Sequence, residues 1–146
     1  MALQDVPPWA DQYVGLPYIA GGRSRDGVDC WGLFNLAWSE QFAGSLPAYE
    51  GPAWNSTAAF RGVVAAANAY AAQFKTVRQG QEELGDGVLM RSFGYPLHLG
   101  LVLAPGLMLH ILEGGDSTIT RYTSMQWRDR IVSFHRFNDG RTLPST

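Results

Sequence analysis

Apolar and polar positions follow one rhythm early in the chain and another late in it. After Asp29, residues Leu33, Phe34, Ala37, Trp38 and Phe42 recur at helical spacing, and Gly44 followed by Pro47 supplies a stop. This predicts a helix over 30–43, capped by Asp29, with Cys30 in its first turn. A second helix is predicted over 56–74, where Asn55 or Ser56 can cap and Phe60, Val63, Val64, Ala67, Ala71 and Phe74 line one face. A short helix fits 9–13, and 15–28 reads as loop, with Pro17, several glycines and a charged tip at Arg23, Ser24, Arg25 and Asp26. Later, short runs of apolar or β-branched residues are separated by glycine, proline or charge. They predict strands over 87–91, 98–103, 108–112, 117–121 and 131–137, with Pro105-Gly106 as a tight turn. Helices followed by an antiparallel meander give an α+β fold.

Size and charge narrow the classes. The 146 residues suit one domain, 1–146, with its core at about 9–137 and a tail from 138 that is flexible or bound to a partner. At 46% hydrophobic and 16% charged, the chain is expected to fold rather than stay disordered. A net charge of -2 offers no basic footprint for nucleic acid. The opening MALQDVPPWADQ lacks the positive and apolar regions of an export signal, and the most apolar stretch, 97–112, is too short and too broken to span a bilayer.

The candidate chemistry gathers around the single cysteine, Cys30. A thiol in the first turn of a helix meets unpaired amides and the positive end of the dipole, which lower its pKa; the competing reading is an inert buried cysteine. His98 and His110 are two of three histidines, and the Pro105-Gly106 turn sets their strands side by side. A thiol, an imidazole base and a second polar group that fixes the base's tautomer make a nucleophilic set, whereas each histidine alone also suits a core position satisfied by backbone. A metal site from Cys30, His98 and His110 is a third reading, made unnecessary by the base-and-orienter account, so no metal or other cofactor is expected. His135, in the alternating IVSFHRF, is expected at solvent or the sheet edge. Glu113 and Asp116 either rim the site or end a strand.

Several segments together resemble a family. PYIAGG around Tyr18, DCWGL from Asp29, GDGV from Gly85, HLGL from His98 and MLHILEG from Met108 resemble, in order over 13–115, the motifs of NlpC-type cell-wall cysteine peptidases. The resemblance implies a reduced papain-like fold, with the nucleophile helix packed on a C-terminal antiparallel sheet, and cleavage of peptidoglycan stem peptides. It implies Cys30 as nucleophile, His98 as base and His110 as its orienter. Tyr18 would help hold the oxyanion or substrate, and Asp29 would contact the substrate amine, although a half-buried aromatic and a plain helix cap remain open for these two. Trp31 stands where many wall-remodelling members have serine, and an indole cannot make the same hydrogen bond to substrate. Tail-associated phage relatives are similar there, and LPAYEG at 46–51 resembles a stretch in them too. The resemblance thus implies a phage or phage-like tail component, made in the host cytoplasm and bound to tail hub or tail-tip proteins. The alternative is a virion structural or assembly module with an occluded or inactive site, which the five tryptophans and six tyrosines would suit as interface residues.

Overall fold

The structure is a computed structural model and describes residues 6–42, 74–92 and 95–137. A 3-10 turn, Pro8–Tyr13, leads into a small antiparallel hairpin of β1 (Arg23–Ser24) and β2 (Gly27–Val28). The helix α1 (Cys30–Gln41) follows at once. Six further strands form one antiparallel sheet: β3 (Phe74–Val77), β4 (Gly87–Ser92), β5 (Tyr95–Ala104), β6 (Leu107–His110), β7 (Thr118–Arg121) and β8 (Ile131–Phe137).

The sheet order is β3-β8-β4-β5-β6-β7, so β4 to β7 are the predicted meander but the last strand is not. Instead β8 returns to lie between β3 and β4, pairing Phe134 with Val88 on one side and with Val77 on the other. His135 therefore lies on an inner strand, half-buried, with Ser133 Oγ 2.7 Å from its Nε2, rather than at a sheet edge. The segment read as loop holds the β1–β2 hairpin. The helix predicted over 56–74 lies outside the described residues except at its last position, where Phe74 opens a strand. The predicted stop at Gly44 and Pro47, the segment 46–51 and the tail from 138 also lie outside them.

Both faces of the sheet are covered. On one, Leu33, Phe34, Ala37 and Trp38 of α1 pack against Leu99, Leu101, Leu103, Leu109 and Ile111. On the other, Val88, Met90, Val102, Met108 and Phe134 meet Tyr122 and Trp127 from the connection after β7. Alternate residues of β5 face opposite ways. Because both ways are buried, Leu101, Val102 and Leu103 read as an unbroken apolar run. At about 1.5–3 kcal/mol for each large side chain fully buried, the first of these layers is the main term holding α1 to the sheet. Between β5 and β6, Gly106 takes φ +95°, the left-handed conformation that makes Pro105-Gly106 a tight turn. No helix among the described residues is long and apolar enough to cross a membrane.

Candidate active site

Cys30 opens α1 because the residue before it ends the extended chain. Asp29 has β-region backbone, and its Oδ1 accepts the Gly32 N–H at 2.8 Å, closing the first turn. The same buried carboxylate accepts from the Gly21 N–H at 3.0 Å and from Arg23 Nη1 at 2.8 Å, which ties the β1–β2 hairpin to the helix start. Arg25, at the hairpin tip, bonds Glu40 of α1 through both terminal nitrogens. The charged tip is thus docked on the helix, with Asp26 remaining exposed.

The sheet leaves a place for the sulfur. Val102 makes both of its backbone bonds toward β4, to Gly85 and Asp86, so by alternation Leu99 and Leu101 turn theirs toward β6. Leu101 pairs with Leu109, but β6 ends at His110, before it reaches Leu99. The freed Leu99 N–H donates to the Cys30 sulfur, as does the Trp31 N–H. Those bonds favour the thiolate. Burial outweighs them: with only 6% of Cys30 exposed, the thiol is pushed up to about 12. The lowered pKa expected at a helix start is therefore corrected, because the amides act on a sulfur that water does not reach.

His98 and His110 lie on the sheet face turned away from α1, opposite in parity to Leu99 and Leu109. His98 Nε2 and His110 Nδ1 are 2.9 Å apart, and His110 Nε2 is 3.0 Å from Thr120 Oγ1. Trp127 stacks on His98 with centroids 5.4 Å apart and 24° between planes, and meets His110 edge-on at 5.3 Å. Arg130 lies over the same indole, 5.7 Å from its centroid. Burial, and for His98 also the neighbouring His110, push the imidazoles down to about 3 and about 4. Both rings are neutral at ordinary pH, so a single hydrogen lies between them.

At the start of β5 the sulfur bonds the backbone amide of Leu99, the residue that follows His98 in the chain. Among the described residues no hydrogen bond joins the sulfur to either imidazole. Tyr18 bridges Val28, two residues before Cys30. Burial first, and then the negative charge of Asp29, hold its phenol protonated. Trp31 is half-buried and stacks on Phe34 at 6.1 Å. Among the described residues no three His, Cys, Asp or Glu side chains gather as a metal-holding group. Thr120 and Trp127 were absent from the sequence reading. Thr120 was open to it, since TITR alternates and puts a hydroxyl on the strand beside His110.

Comparison with known proteins agrees with this architecture. The sequence model of the NlpC/P60 family matches residues 15–136. A lipoprotein-like NLP/P60 family protein from Staphylococcus aureus superposes with TM-score 0.65 at 19% identity, covering 96% of this chain and 43% of its own. An NlpC/P60 family protein from Bacillus cereus gives 0.62 at 18%, covering 94% and 40%. The NlpC/p60 domain of the peptidoglycan hydrolase SagA gives 0.54 at 16%, covering 86% and 90%. This chain thus spans about two fifths of the first two proteins and nearly all of the SagA domain. No curated protein matches the sequence.

Proposed function

The chain belongs to the NlpC/P60 family, and on that premise we propose that it is a cysteine peptidase that cleaves peptidoglycan stem peptides. The observation that carries the proposal is the end of β6, where the Cys30 sulfur takes the unpaired Leu99 amide beside the His98–His110 pair. The SagA domain, itself from a peptidoglycan hydrolase, supports the substrate class.

The chemistry follows from the groups present. His98 uses Nε2 on His110, so Nδ1 is the nitrogen that takes the thiol proton. The thiolate attacks the peptide carbonyl, and the oxyanion takes the Cys30 N–H, which as a first-turn amide has no intrahelical acceptor. The Tyr18 hydroxyl, kept protonated, is the second donor. As the tetrahedral adduct collapses, the C–N bond breaks and His98 returns its proton to the leaving amine. Water, deprotonated by His98, then hydrolyses the thioester and releases the acid. Asp29, already engaged by three donors, acts first as the cap that aims Cys30; a contact to the substrate amine adds to that role. Trp31 lines the approach as an apolar wall where relatives use a serine hydroxyl.

Trp31 and the LPAYEG segment support the context: a phage or phage-like tail component, held by hub or tail-tip proteins, that opens the wall during infection. The burial of Cys30 and His98, 6% and 4% exposed, favours a second reading, a tail assembly module whose site is closed. Mass analysis of wall fragments incubated with the protein separates the two. Cleavage by wild type and not by Cys30→Ala supports the peptidase, and no cleavage at high protein concentration supports the module. Recovery of the chain only as free protein, never with particles, overturns the tail context.

A further inference from the structure

We propose that Thr120 is a positioning residue that completes a one-way hydrogen-bond chain, His98 to His110 to Thr120, and thereby selects the tautomer in which His98 can act as a base. The inference rests on the assignment of Cys30 and His98 to the reaction and adds a residue from a different strand. Two arrangements of neutral rings satisfy the His98 Nε2 to His110 Nδ1 contact. In the first, His98 carries its hydrogen on Nε2 and donates to His110, which carries its own on Nε2 and donates to Thr120 Oγ1; His98 Nδ1 is then bare and accepts the thiol proton. In the second, every bond runs the other way, and His98 Nδ1 already holds a hydrogen.

The chemistry works only in the first arrangement. When His98 gains the proton, its Nε2–H still points at His110 Nδ1, and the His110 Nε2–H still needs an acceptor. Thr120 Oγ1, 3.0 Å away, is that acceptor. Because Thr120 is half-buried, its own hydrogen can turn to water. His110 itself is almost wholly buried, so without the hydroxyl its N–H would be stranded, and a stranded donor is less tolerable than a stranded lone pair. Removing the hydroxyl therefore favours the reversed, unproductive arrangement.

Nitrogen NMR of the two histidine side chains in wild type, Thr120→Val and Thr120→Ser tests this directly. Wild type should show His98 and His110 each protonated at Nε2. Thr120→Val should move the hydrogen of His98 toward Nδ1 and lower kcat/KM by roughly 10- to 100-fold with its unfolding transition retained. Thr120→Ser, which keeps the hydroxyl, should restore both the spectrum and the rate. A wild-type His98 protonated at Nδ1, or a Thr120→Val spectrum identical to wild type, overturns the proposal. If the tautomers shift as expected but no form hydrolyses wall fragments, the chain stands and the peptidase reading falls.

Discussion

Replacing Asp29 tests whether the carboxylate beside Cys30 is chiefly architectural. Asp29→Ala removes three acceptor contacts at once: the Gly32 cap, the Gly21 N–H and Arg23. Loss of a helix cap costs about 1 kcal/mol, and loss of the part-buried hydrogen bond from the Gly21 N–H to the carboxylate costs about 1 more. The ion pair joins a carboxylate 1% exposed to a guanidinium 31% exposed, so solvent screening holds it to about 1 kcal/mol, well below a fully buried pair. The sum is about 3 kcal/mol. For a domain of this length that lowers Tm by about 10 °C. Asp29→Ser separates the terms, since a serine hydroxyl can cap Gly32 but cannot also reach Gly21 and Arg23. It should recover about 1 kcal/mol, roughly a third of the loss. Thermal unfolding of the three proteins followed by circular dichroism gives both numbers. An alanine variant within 2 °C of wild type, or serine no better than alanine, would refute the account of Asp29 as the joint between hairpin and helix.

Features that local sequence determines were legible. The helix expected over 30–43 is found over Cys30–Gln41, because its cap and its helical apolar period lie within a few turns. The strand at 131–137 was read to the residue for a similar reason: its alternation is complete in itself. Its place was not legible, since its insertion between β3 and β4 depends on pairing Phe134 with Val88 and with Val77, far away in the chain. Strand β3 was missed because four residues following an alanine-rich stretch carry too short a pattern to interrupt a helical reading. At the site, the adjacency of His98 and His110 followed from the turn between them, and Asp29 from its capping position. The state of Cys30 did not follow. A helix start lowers a thiol pKa and burial raises it, and the burial comes from side chains on β5, β6 and the amino-terminal turn that no local window contains.

Further tests use the same observations. Both histidines titrate lower when folded than their ordinary 6.5, so acid is bound preferentially by the unfolded chain; urea midpoints should fall as pH drops below about 6.5. Cys30 titrates higher when folded, so stability should fall again as pH rises above about 9, and Cys30→Ala should flatten that alkaline limb; an unchanged limb would count against the burial argument. Iodoacetamide should modify the native thiol at least about tenfold more slowly than free cysteine at pH 7, with the difference lost in urea. Modification should abolish hydrolysis, and chelators should leave it intact; activity lost to a chelator and restored by zinc would require another mechanism. Gly32→Ala provides a test of sign. Alanine is the better helix former by about 1 kcal/mol, so propensity alone predicts a more stable protein. A Cβ at Gly32, however, would lie 2.0 Å from the Gly22 carbonyl oxygen, a backbone atom that also receives Arg23 Nη1. The hairpin must then move off the helix by about 1 Å, straining the Arg23–Asp29 joint, and overpacking of that kind costs about 1–3 kcal/mol. Denaturant unfolding should therefore show Gly32→Ala destabilised, and a variant more stable than wild type would mean that the hairpin does not clamp the first turn that carries Cys30.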